Sequence, residues 1–131
     1  MTDYIRFGHL MVITKVAITE EEQSHGLMFQ SWPPPVMSFP FEDQKTRKFW
    51  MHNTISPLDI VFCKNSSVID VFSGKPLSKQ HIGPEEPCDL VVELPRGLAK
   101  KFNIFAGQSV YLLYSLETLA KKYELKLQKI T

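Results

Sequence analysis

Phe49-Trp50-Met51-His52-Asn53-Thr54-Ile55-Ser56-Pro57-Leu58-Asp59-Ile60 decides how the rest of the chain is read. This stretch holds two aromatic rings, an imidazole, an amide and a carboxylate, and it runs directly into the most apolar segment, Leu58–Cys63. Proline disfavours helical geometry in the residue before it, so Ser56-Pro57 forces an extended path. Phe49–Met51 therefore reads as a strand, His52-Asn53-Thr54 as the corner leaving it, and Leu58–Cys63 as the next strand. Val68–Phe72 follows across Asn65-Ser66-Ser67, which makes a β-hairpin. Two registers are open. A two-residue loop at Asn65-Ser66 sets Val61 opposite Asp70 and puts Asp59 on the same face as Asp70, one diagonal away. A three-residue loop puts the two acids on opposite faces, because one residue of slip inverts a strand.

Towards the C-terminus, Gly74–Cys88 is a long polar loop with Pro76, Pro84 and Pro87, of a length that is often functional. Leu90–Leu94 is a strand with Leu90, Val92 and Leu94 on one face and Glu93 on the other. A short helix, Arg96–Phe102, is expected after Pro95, and a strand over Val110–Tyr114 after Gly107. The tail from Leu116 starts helix-like over Glu117–Tyr123 and ends in strand-like alternation at Leu125, Leu127 and Ile130.

Towards the N-terminus, Tyr4–Phe7 and Leu10–Ala17 read as strands. Thr19-Glu20-Glu21-Glu22 is a capping box, in which the Thr19 hydroxyl and the Glu22 carboxylate reciprocally accept from each other's backbone amides. Its helix is short, since Gly26 can end it with a left-handed residue. Leu27, Met28 and Phe29 are then expected in the core. Trp32-Pro33-Pro34-Pro35 is a stiff connector, read as a rigid loop in preference to a ligand for a proline-recognition domain. Val36–Phe41 is a short strand that Pro40 assigns to an edge, and Glu42–Lys48 is a charged surface turn.

The totals agree with a single β-rich domain. The chain has 131 residues, 44% hydrophobic and 22% charged, and a net charge of +1. That length supports a full core without staples. The charge balance gives no electrostatic case for nucleic acid or an anionic membrane as partner. No run approaches the roughly 20 apolar residues of a membrane span, and the N-terminus lacks a signal peptide, so a cytoplasmic location is expected. Cys63 reads as a small buried hydrophobe and Cys88 as a loop residue, and a disulfide between them does not suit a reducing compartment.

Gly26-Leu27-Met28-Phe29, Phe49-Trp50-Met51-His52-Asn53-Thr54, Pro57-Leu58-Asp59-Ile60, Val92-Glu93-Leu94-Pro95, Gly97, and Gly107 before Val110 together resemble domain-of-unknown-function family 192, over about residues 10–112. The resemblance implies a mainly β, single-domain sandwich or barrel of jelly-roll type with one or two short helices, and no established activity. It sets residues 1–115 as the domain and 116–131 as a C-terminal extension packed on it or on a neighbour. Many relatives look exported, and this chain looks like a stand-alone form without a leader, similar to versions carried by phages. It departs from the family pattern at Gln30 (usually basic), at Val36-Met37-Ser38-Phe39 (usually Gly-Met-Leu-Phe), at His52 (usually lysine) and at Gln108 (usually aspartate).

Trp50, His52, Asn53 and Asp59 are the candidate ligand-binding residues, since an imidazole, an amide and a carboxylate at one sheet end can orient a polar ligand against an indole. The structural reading of the same residues has Asn53 and Asp59 tying down a turn through backbone amides and Trp50 in the core. No catalytic nucleophile and no phosphate loop are present. His9, His25, His52 and His81 form no close pair, and Asp59, Asp70 and Glu93 gather oxygens for a hard cation only if their strands are adjacent, so no metal and no cofactor are expected. The expected function is a binding or accessory module for a small molecule or a protein, as a monomer or small homo-oligomer. The alternatives are a small hydrolase or isomerase with His52 and Asp59 as acid–base groups, and a phage or structural assembly protein. An enzyme requires His52 and a carboxylate within hydrogen-bond reach of each other in an open pocket, whereas a module requires only an apolar groove with a polar rim.

Overall fold

A computed structural model describes residues 1–130, so Thr131, the last residue of the expected tail, lies outside the described residues. The strands are β1 (Asp3–Phe7), β2 (Leu10–Val16), β3 (Met37–Lys45), β4 (Leu58–Lys64), β5 (Ser67–Gly74), β6 (Cys88–Pro95) and β7 (Val110–Leu113). The helices are α1 (Glu20–His25), α2 (Leu98–Lys101) and α3 (Leu116–Ile130). All seven strands form one sheet in the order β5-β4-β6-β3-β2-β1-β7, antiparallel except where β2 runs parallel to β3. The sheet curls until its edges meet. Val68 N–H donates to Gln108 O, Gly107 N–H to Val68 O and Val110 N–H to Ser66 O, which joins the start of β5 to the start of β7. The mainly β, single-domain expectation holds, in its barrel-like form.

The curl divides the apolar residues into two cores. Ile5, Phe7, Val61, Cys63, Val92, Leu94 and Val110 fill the concave side. Leu58, Ile60, Phe62 and Val91 point the other way and are covered by Ala17, Leu27, Phe39 and Met51. Strands β4 and β6 are thus buried on both faces, which is why Leu58–Cys63 reads as an unbroken apolar run. Fully burying a side chain such as Met51 contributes about 1.5–3 kcal/mol. Its seat depends on Gly74, where a Cβ would come within 2.6 Å of the Met51 sulfur.

The local expectations hold in most places. The Thr19–Glu22 capping box forms, with both reciprocal hydrogen bonds at 3.0 Å. Gly26 ends α1 at φ +52° and donates its N–H to Glu22 O. Several boundaries differ. Of Leu27, Met28 and Phe29, only Leu27 is fully buried, and Phe29 is exposed. Strand β3 runs on to Lys45, through the segment expected as a turn. Pro40 sits inside it because β2 pairs only with Met37 and Ser38 before leaving for α1, so the missing Pro40 N–H faces no neighbouring strand on that side. Phe49–Met51 is not a strand. Only Phe49 pairs, with Ile82, and Met51 N–H donates to Ser78 O, so this segment is zipped to the 75–87 loop. Cys88 opens β6 and is buried, not in a loop. The tail is helical throughout Leu116–Ile130, without the expected strand-like end.

Candidate functional site

The Phe49–Ile60 stretch reaches both sides of the sheet, and this splits the four candidate residues. Asp59 shares the concave face of β4 with Val61 and is buried. Its Oδ2 accepts the Gly97 N–H at 2.9 Å and the Ala99 N–H at 3.0 Å. Those are first-turn amides of α2, so the carboxylate caps that helix from a strand nearly forty residues earlier in the chain. On the convex side lie Trp50, His52 and Asn53. Asn53 takes φ +55°, a left-handed value that asparagine tolerates, and its carbonyl accepts the Phe29 N–H at 2.9 Å. That bond ties the segment after α1 to the 52–54 corner. His52 and Asp59 do not converge.

Trp50 is 43% exposed and so is not core. Its ring lies 4.8 Å from that of His52 and 5.7 Å, edge-on, from that of His81. Trp50 and His52 line a cavity of about 160 Å³, and His81 packs against Trp50 outside that lining. The cavity is walled by Gln23–Met28 on one side and by Lys48, Phe49, Trp50, His52 and Thr54 on the other, with Phe39 and Glu93 from the sheet. Two anchors hold the walls apart. Gln23 Nε2 donates to Ala17 O and to Pro40 O, which docks α1 on β2 and β3. The Leu77 N–H donates to Thr54 O, which fixes the opposite wall.

Glu93 forms the inner end. Antiparallel pairing sets it opposite Met37 on one side and Ile60 on the other, so it projects from the middle of β6 on the convex face. It is 4% exposed. Its Oε1 lies against the Gly26 backbone, 3.7 Å from where a Cβ would stand, and at the φ of Gly26 a side chain would also be strained. Among the described residues its carboxyl has no hydrogen-bond or ion-pair partner, and burial pushes its pKa up to about 8. A carboxyl so placed is largely neutral at pH 7 and can both donate and accept.

Sequence reasoning put Glu93 on the strand face opposite Leu90, Val92 and Leu94 but did not single it out as a site residue, and His25 was grouped only with scattered histidines. The available signal was a lone carboxylate flanked by Val91, Val92 and Leu94 in a strand apolar enough to be buried on both faces. Of the acids considered for a hard cation, Asp59 and Glu93 lie on opposite faces, and no group of three or more His, Cys, Asp or Glu side chains among the described residues is arranged to hold a metal.

The comparisons with known proteins agree with this architecture. A family model, DUF192 (Uncharacterized ACR), matches residues 5–112, which span β1 to β7 and include the whole cavity. The chain belongs to the DUF192 family. Two solved structures share the fold. One is a candidate transcription regulator from Sinorhizobium meliloti 1021, 24% identical, covering 86% of this chain and 94% of that one with a TM-score of 0.78. The other is a protein of unknown function from Novosphingobium aromaticivorans DSM 12444, 26% identical, covering 85% and 84% of the two chains with a TM-score of 0.74. No curated protein matches. No helix among the described residues is long and apolar enough to cross a membrane.

Proposed function

We propose that this DUF192 protein is a non-enzymatic binding module that takes a small polar ligand in the Glu93 cavity. The observation that carries the reading is a buried carboxyl without a partner at the inner end of a cavity with an aromatic rim. The carboxyl is almost wholly withdrawn from bulk water and lines the cavity, so a donor on a ligand supplies the hydrogen bond that no protein group gives it. Trp50 and His52 contact the ligand at the rim. Asn53 sets the rim through its bond to Phe29, and Asp59 acts from the other face by holding α2 against the sheet. Residues 1–115 form the binding domain, and 116–131 are an accessory extension. The unpaired thiols of Cys63 and Cys88 suit a cytoplasmic setting.

Amide chemical-shift mapping against sugars, nucleotides, amino acids and amines tests the reading. Shifts clustered on residues 23–28, 48–54 and 91–94 are expected with at least one class, and they weaken in His52→Ala. A spectrum unmoved around the cavity by every class refutes the binding module.

A further inference from the structure

This inference rests on the ligand-site reading above and concerns the chemistry of the ligand. Glu93 is the one carboxyl among the residues that line the cavity, and none of the basic side chains there pairs with it. The nearby basic side chains are engaged elsewhere. Lys48 Nζ donates to Gly83 O at 2.6 Å and to Glu85 Oε1 at 2.7 Å. Arg47 bonds Asp43 and Cys88 O and lies over the Phe41 ring, and Lys121 bonds Glu22. The other titratable groups that line the cavity are His25 from the end of α1 and Lys48 and His52 from the opposite wall. Three aromatic side chains, Phe39, Phe49 and Trp50, also line the cavity. Phe49 meets Phe39 edge-on at 5.2 Å, and the Trp50 indole lies beside it at the mouth. Aromatic faces attract cations and a carboxylate forms its strongest hydrogen bonds with charged donors.

We propose that the cavity takes a compact ligand bearing one cationic nitrogen, a primary ammonium or a guanidinium, seated on the Glu93 carboxylate against Phe49 and Trp50. A volume of about 160 Å³ limits the buried part to a handful of non-hydrogen atoms. Because burial holds Glu93 up to about 8 in the free protein, a cation binding near pH 7 drives the carboxyl proton out to solvent and leaves the ionised carboxylate paired. Aliphatic alcohols and carboxylates of the same size lack the charge that drives this exchange.

The test uses the full chain carrying ¹³C-labelled glutamate, titrated near pH 7 with n-propylammonium, methylguanidinium, 1-propanol and propionate in separate samples. The Glu93 Cδ resonance is expected to move to the ionised position with the two cations and with neither control. Glu93→Gln is expected to weaken n-propylammonium binding at least tenfold. If Glu93→Gln does not fold, the Cδ response of the native chain alone decides. A Cδ signal unmoved by both cations overturns the proposal. Cavity shifts produced by propionate or 1-propanol but by neither cation overturn the charge assignment and leave the binding module standing. If none of the four probes moves a cavity resonance while another class in the wider panel does, only the cation proposal falls. If nothing in either set binds there, both fall.

Discussion

Two carboxyls on adjacent strands of this protein have opposite fates, and the difference lies in which face of the sheet each residue takes. Asp59 points to the concave side and meets two backbone amides, whereas Glu93 points to the convex side and meets none. Asp59→Ala leaves the Gly97 and Ala99 N–H groups without their acceptor and is expected to cost about 2–4 kcal/mol in chemical denaturation. Asp59→Asn keeps one acceptor oxygen and is expected to cost less than half of that. Glu93 makes a separate prediction about pH. Its folded pKa, about 8, lies above the unfolded value, so the native state holds a proton that the unfolded chain has lost. Stability is therefore full below about pH 4.5 and falls as pH rises towards 8, by an amount on the order of 4 kcal/mol. Glu93→Gln is expected to abolish that slope and to be the more stable protein at pH 8.5 by urea titration. Glu22 acts in the opposite sense. Its partial burial favours the neutral form, but bonds from the Thr19 and Ile18 N–H groups and from Lys121 outweigh that and hold its pKa at about 2. Its contribution is present above about pH 4.5 and is lost as pH falls towards 2, so the contributions of these two acids are jointly greatest near pH 5.

At the scale of elements, the β4–β5 hairpin shows what residue patterns reveal and where they stop. The loop is the two-residue Asn65-Ser66 turn, and both residues have positive φ, at 50° and 61°. That is type I′ geometry, which favours asparagine at the first position and glycine at the second. Ser66→Gly relieves the left-handed strain while keeping the Ser66 carbonyl that accepts from Val110 N–H, and it is expected to raise stability by about 0.5–1 kcal/mol in thermal unfolding. The two-residue loop alone would set Val61 opposite Asp70. A bulge between Phe62 and Cys63 instead pairs Val61 with Val71 and Phe62 with Asp70, which turns Asp70 away from the face of Asp59. The position of the turn is local and was legible, but its length stayed open in the sequence, and the bulge, set by cross-sheet packing, was not legible. The same division runs through the site. Thr19–Glu22 capping and the Gly26 stop were legible because their partners lie within a few residues. Glu93 was placed on its correct strand face, but its isolation depends on α1 and the 48–54 segment closing over it, contacts made across the sheet.

At the scale of the whole molecule, the β domain closes on itself, and α3 is attached to it by polar contacts. Asp3 accepts the Ser115 N–H and the Thr118 hydroxyl, and Lys121 bonds Glu22. No described residue of α3 is buried, and Leu116, Tyr123 and Ile130 are largely exposed. Surface contacts of this kind contribute little each. Removal of residues 116–131 is therefore expected to leave the amide spectrum of β1–β7 native-like and to lower the melting temperature by only a few degrees, on the order of 1 kcal/mol. Broad loss of sheet signals would show that α3 is integral to the domain.

The account turns on Glu93 being held neutral at the inner end of the cavity, and the most direct measurement is the pH titration of its ¹³Cδ resonance in the free protein. The structure predicts a midpoint near pH 8. A midpoint near the ordinary glutamate value, about 4.3, would show a hydrated or paired carboxylate and would contradict the binding site built on it.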